Sequence, residues 1–242
     1  MKKTTKKSTE NSSKKITSDR VPTGISGLDK LIEGGFPRNS SIMVRGGSGT
    51  GKTIFCLQWL YEGATKENEP GIFLSFAESK QAVYNHGKAF NWDLEDLTKK
   101  GKFAEIRYEP HEVASIIEEG GGTIRDTIET IGAKRLVIDS LTAYQMLFES
   151  RYKANEAILS LFEILNRWNT TTLVTSEYPV SPNRESRERL GFLTDSIINF
   201  YRLREKKGRQ RYLEVVKMRD TNHNDRINPF TICKSGVIVG RK

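Results

Sequence analysis

Gly46-Gly47-Ser48-Gly49-Thr50-Gly51-Lys52-Thr53 decides how this chain is read. The run matches at every fixed position the phosphate-binding loop in which glycines let successive backbone N–H groups converge on the tail of a nucleoside triphosphate. Lys52 then reaches the β- and γ-phosphates, and Thr53 offers its hydroxyl to a magnesium ion. The flanks agree with that mechanism. Ser41-Ile42-Met43-Val44-Arg45 reads as a buried strand. Thr53 to Ala64 places Ile54, Leu57, Leu60 and Tyr61 at helical spacing, so the positive end of a helix faces the phosphates. Binding of ATP or GTP is the expectation.

Further along, Gly71 to Phe76 reads as a second apolar strand, and Ser79 to Trp92 as a helix capped by Ser79. Glu112 to Ile131 is helix-like but interrupted by Gly120-Gly121-Gly122, a hinge rather than a second phosphate loop because no Lys-Ser/Thr follows. Arg135 to Asp139 is a third strand, Arg151 to Asn169 a helix with one apolar stripe, and Thr171 to Ser176 a fourth strand. Ser181 to Arg189 reads as an exposed loop. Two hairpins follow: Ser196 to Leu203 with Tyr212 to Met218 around Lys206-Lys207-Gly208-Arg209, and Phe230 to Cys233 with Gly236 to Gly240. Helices alternating with strands, then hairpins, describe an α/β fold with a mostly parallel central sheet, flanking helices and antiparallel C-terminal strands.

A phosphate loop needs an acid that helps order the magnesium, and Asp139 ends an apolar strand where such an acid belongs. Ligands of open α/β sheets lie at the carboxyl ends of the strands, so Asp139, the loop, Glu78 and Ser176-Glu177 should converge there.

The 242 residues suffice for one sizeable core. No apolar run approaches the ~18 residues that span a bilayer, and no hydrophobic segment follows the first lysines, so a cytoplasmic location is expected. Cys56 and Cys233 stand far apart, and His86, His111 and His223 are scattered, which argues against a cysteine- or histidine-based metal site. The formal charge is +9, and residues 1–20 hold seven basic against two acidic side chains, a net of +5. Residues 1–18 therefore read as a disordered basic tail, and 19–242 as the folded domain.

Together these residues carry a resemblance. Pro22-Thr23-Gly24 with Gly27-Leu28-Asp29, the phosphate loop, Phe73 to Ser79, Val137-Ile138-Asp139-Ser140, and Lys217-Met218-Arg219-Asp220-Thr221-Asn222-His223 resemble a single KaiC-type ATPase domain of the RecA/RadA superfamily. The last motif is the most specific, since KaiC domains typically read K-L-R-G-T-S-H there. The resemblance implies a RecA-like core, a hexameric ring, and ATP with Mg2+ held between neighbouring subunits. Lys217 and Arg219 would reach the next subunit's nucleotide, with Thr221 and His223 as nearby contacts. Lys217 and Arg219 also have the two-residue spacing that puts side chains on one face of a strand.

Two departures qualify the likeness. KaiC domains usually carry two adjacent glutamates after the second strand, and here the first is Ala77, leaving Glu78. In an extended chain neighbours face opposite ways, so Glu78 could act on the attacking water only if the chain has already turned. ATP binding with slow hydrolysis is expected, in a nucleotide-dependent switch or regulatory ring, with a protein partner in signalling. Cys233-Lys234 also stands where the family tends to have Thr-Asp. The alternatives are a DNA-handling ATPase of the RecA/RadA type, which the basic tail allows but no interleaving of aromatic and basic residues favours, and a scaffold that binds ATP without hydrolysing it.

Overall fold

The computed structural model describes residues 19–109, 112, 122–183, 190–206 and 208–240. The expected tail over 1–18, the Gly120-Gly121 part of the hinge, His111 and positions 184–189 of the expected loop lie outside them. In chain order the elements are β1 (Arg20–Val21), β2 (Phe36–Pro37), β3 (Ser41–Arg45), α1 (Lys52–Lys66), β4 (Gly71–Ser75), α2 (Lys80–Ala89), α3 (Leu94–Lys99) and β5 (Phe103–Arg107). They continue with α4 (Gly122–Ile131), β6 (Arg135–Asp139), α5 (Leu141–Met146), α6 (Arg151–Leu165), β7 (Thr171–Ser176), β8 (Ser196–Glu205), β9 (Gly208–Met218), β10 (Asn228–Cys233) and β11 (Gly236–Val239).

One nine-stranded sheet runs β11-β10-β9-β8-β3-β7-β6-β4-β5. Strands β8, β3, β7, β6, β4 and β5 are parallel, while β9, β10 and β11 extend the sheet through antiparallel pairs. β3, β4 and β7 are buried at every residue, because helices cover both faces and a strand in that position must be apolar or hydrogen-bonded on both. Alternation along the strands divides the core. Ile42, Val44, Ile198 and Phe200 pack with α1, and Met43, Ile138 and Ile197 pack with α4 and α6.

Several local features depart from the sequence expectation. α2 is capped by Ser79, as expected, but ends at Ala89, because Asn91 takes a left-handed conformation (φ 60°) and the Trp92 N–H turns back to the Gly87 carbonyl. α3 and α5, each six residues long, and the edge strand β5 have no counterpart in the sequence reading. The β8–β9 hairpin is tighter than expected, its last pair being Glu205 with Gly208.

A buried cation fastens the rear of the sheet to α1. The Arg135 side chain is fully buried and donates to Glu69 Oε2 (2.8 Å), the Trp59 carbonyl (2.8 Å) and the Pro22 carbonyl (3.1 Å), with its guanidinium 5.0 Å from the Trp59 ring centre. Gly63 makes room for it: a Cβ there would fall 2.3 Å from Arg135 Nε. Arg38 also donates to Glu69 (2.8 Å), and the two guanidinium groups hold its pKa below the ordinary glutamate value although burial pushes the other way. Glu69→Ala leaves the buried Arg135 charge uncompensated and is expected to cost about 3–5 kcal/mol in urea unfolding. Arg38→Ala removes only a partly exposed partner and should cost about 1 kcal/mol or less.

Candidate functional site

The turn from β3 into α1 has the backbone shape its glycines predict. Gly49 (φ 73°) and Gly51 (φ 105°) occupy the left-handed region, which a side chain would strain. Gly46 is needed for closeness, since a Cβ there would lie 2.6 Å from the Phe200 carbonyl oxygen of β8. Ser48 and Gly49 are exposed at the tip, whereas Gly46 and Thr50 are buried beneath it and the Thr50 hydroxyl donates to the Gly47 carbonyl (2.9 Å). Lys52 opens α1 and is buried, its ammonium donating to the carbonyls of Gly46 (2.8 Å) and Gly47 (3.3 Å). Burial lowers its pKa from the ordinary lysine value, opposed by the charges of Glu177 and Asp139.

At the carboxyl end of β6, Asp139 meets this loop. Thr53 Oγ1 donates to Asp139 Oδ2 (2.7 Å), and Thr175 Oγ1 from β7 donates to Oδ1 (2.6 Å). A hydroxyl and a carboxylate at one point are the hard oxygen donors magnesium takes, and an ion that keeps most of its shell as water and phosphate oxygen needs no larger protein cage. The residues present therefore fit Mg2+. Thr175 was not singled out from the sequence, where it reads as one more strand residue. Arg202 and Arg211, which face each other across β8 and β9, were missed as well. Arg211 Nη2 donates to the Gly49 carbonyl (3.4 Å), and Arg202 Nη1 lies 3.1 Å from where a Gly49 Cβ would stand.

Glu78 occupies the same end of the sheet. β4 stops at Ser75, whose hydroxyl accepts the N–H groups of Ala77 (3.2 Å) and Glu78 (2.8 Å), so the chain has turned before Glu78 and strand alternation no longer fixes its direction. Its carboxylate stands 3.4 Å from His86 Nε2 on α2. Burial raises the Glu78 pKa from the ordinary carboxylate value, His86 lowers it, and the charge of Asp139 raises it again. Just past β7, the Glu177 N–H donates to the Thr142 hydroxyl oxygen (2.9 Å), and the Glu177 carboxylate acts on Lys52 through its charge.

Lys217, Arg219, Thr221 and His223 are not part of this cluster. Met43 pairs with Ile197 and Ile197 with Lys217, while the Arg219 N–H bonds the Asp195 carbonyl just before β8 begins. Both cations thus lie toward the amino ends of β3 and β8. The five residues of β3 separate Arg219's level from the loop by about 16 Å along the sheet. Lys217 also lies on the other face. Ile198 pairs with Val215 and Ile197 with Lys217, so Val216 forms a bulge that turns Lys217 from the α1 face to the α6 face.

Lys217 Nζ donates to the carbonyls of Thr194 (2.6 Å) and Gly191 (3.3 Å), and Arg219 Nη1 pairs with Asp195 Oδ1 (3.2 Å). Burial, then the neighbouring Arg219, lower the Lys217 pKa against the opposing charge of Asp195. The expectation that both cations sit on a strand is corrected: β9 ends at Met218, and Arg219 is in the turn that follows. Thr221 accepts from Arg20 Nη1 (2.6 Å) and donates to the Arg219 carbonyl, and His223 Nδ1 lies 3.2 Å from Asp225 Oδ1.

The family described as "ATPase: KaiC" matches residues 21–242. The chain belongs to the KaiC ATPase family. This KaiC-family chain is 34% identical over 232 residues to the circadian clock oscillator protein KaiC of Prochlorococcus marinus subsp. pastoris, an alignment covering 93% of the chain and 46% of the relative. It thus spans about half the length of that clock protein. It is 32% identical to the UPF0273 protein MJ1359 of Methanocaldococcus jannaschii, with 91% of the chain and 96% of the relative covered. Among solved structures, the KaiC-like protein PH0186 of Pyrococcus horikoshii OT3 superposes with a TM-score of 0.83 at 34% identity, covering 92% of the chain and 99% of that protein. The RecA-like fold follows from that match and from the sheet order. Among the described residues of this KaiC-family chain, no helix is long and apolar enough to cross a membrane, and no three His, Cys, Asp or Glu gather as a metal site.

Proposed function

We propose that this chain binds Mg-ATP through residues 46–53, Thr53 and Asp139, and hydrolyses it slowly at sites shared between neighbouring subunits of a ring. One observation carries this reading. The loop, Lys52, Thr53 and Asp139 gather at one end of the sheet, while Lys217 and Arg219 lie toward its other end, Lys217 on the opposite face, where neither can serve its own loop. A head-to-tail contact brings two such unlike surfaces together, and repeated with a closing rotation it makes a ring.

In that arrangement Lys52 and the backbone N–H groups of the loop hold the phosphate tail. Magnesium, held by Thr53 and Asp139, would neutralise phosphate charge. Glu78 orients the attacking water, and Arg219 with Lys217 of the adjacent copy stabilises charge developing on the transferred phosphoryl group. Slow turnover follows from having one carboxylate after β4, with Ala77 in the neighbouring position. A ring whose interfaces contain the γ-phosphate changes its contacts when that phosphate leaves, which suits a nucleotide-dependent switch that docks a protein partner.

Turnover measured together with mass in solution tests this. Mg-ATP should drive the natural protein into a ring, with kcat below about 1 s⁻¹, the low end of ordinary enzymes. A protein that stays monomeric at full turnover would contradict the shared site.

A further inference from the structure

We infer that His86 is a positioning residue for Glu78, holding its carboxylate in the orientation that hydrolysis uses; this rests on the reading of Glu78 given above. Glu78 Oε2 is shut off from solvent and makes no hydrogen bond of good geometry, and the group that faces it is His86 Nε2 at 3.4 Å. A carboxylate oxygen withdrawn from water needs a polar or charged neighbour to offset the lost hydration.

The two residues differ in how firmly they are held. Glu78 sits in a bend and has a long side chain with several rotamers, whereas His86 lies in α2, which is anchored at both ends. At the start of α2, Ser79 caps by accepting the Ala82 N–H. Along its length Val83 and Tyr84 are buried, and Gly87 packs so closely that a Cβ there would lie 2.8 Å from Leu94 Cδ1. Helical side chains lean toward the helix N-terminus, so His86, two turns into α2, points back toward the bend that holds Glu78. A rigid helix thereby fixes a group that its own backbone leaves loose. Asp139 does not provide that, since its charge repels that of Glu78.

The test is steady-state ATP turnover, with Mg-ATP affinity and ring mass, for the natural protein, His86→Ala, His86→Gln, Glu78→Gln and the double variant Glu78→Gln/His86→Ala. His86→Ala should lower kcat about ten- to a hundredfold, as expected when a reacting group is misplaced by an ångström or so, with KM, affinity and mass unchanged. Glutamine keeps a side-chain N–H and should restore most of the rate. In the Glu78→Gln background the loss of His86 should have no further effect, because the two groups then act as one unit. An effect of His86→Ala that persists in that background, or that appears as weakened binding or a smaller ring, overturns the positioning role. So does an unchanged kcat for His86→Ala beside a slow Glu78→Gln. Turnover indifferent to Glu78→Gln overturns the reading beneath it as well.

Discussion

Replacing Arg219 by alanine should lower ATP turnover by about 10³-fold or more while Mg-ATP still binds, because a cation supplied in trans stabilises the transition state more than the ground state. The geometry makes this separable from folding. The Arg219 side chain is 58% exposed, and its ion pair with Asp195 is of the surface kind worth about 0–1 kcal/mol, so the variant should keep its fold. Lys217 is a less clean probe, since its ammonium also ties β9 to the carbonyls of Gly191 and Thr194. Turnover of Arg219→Ala should be measured at a protein concentration where its mass shows the assembled ring. Natural turnover in an intact Arg219→Ala ring would remove this residue from the mechanism.

Glu78→Gln should lower kcat by about 10²- to 10⁴-fold, the range for loss of a general base. Glutamine has the same shape, and the bend at Glu78 is held by backbone N–H groups bonded to Ser75 Oγ, which the substitution leaves in place. Binding measured with a fluorescent ATP analogue should change less than about twofold, because an interaction made only in the transition state leaves ground-state binding in place. An unchanged kcat would assign water activation elsewhere. Glu177 would be the next candidate, being close enough for its charge to act on Lys52.

What was legible in the sequence follows from where each element lies. β3, β6 and β7 are covered on both faces, so between the charged residues at the ends of β3 and β6 they appear as apolar or hydroxyl-bearing runs, and the glycines of the phosphate loop answer to backbone conformation at Gly49 and Gly51 and to close packing at Gly46. β5 is an edge strand carrying Glu105 and Arg107, and α3 and α5 are under two turns long, too short for a helical period to emerge. Asp139 was readable as an acid ending a strand. Its second hydroxyl partner, Thr175, was not, because only the parallel pairing of β6 with β7 brings the two together.

Glu78 depended on one hydrogen-bonded bend at Ser75 that strand alternation cannot reveal. The cations near the end of β9 needed the tertiary register most of all. Spacing alone put Lys217 and Arg219 on a shared strand face, but the bulge at Val216 decides which face Lys217 takes, and Arg219 lies beyond the strand.

The shared site is tested most directly by mixing two inactive variants, Glu78→Gln and Arg219→Ala, under conditions where they assemble into common rings. Each defect sits on a different side of the contact, so random mixing in equal amounts gives about one interface in four with an intact Glu78 facing an intact Arg219. A shared site predicts recovery of roughly a quarter of natural turnover, absent when either variant is assayed alone. Mixed rings, verified by mass, that remain as inactive as the separate variants would contradict it.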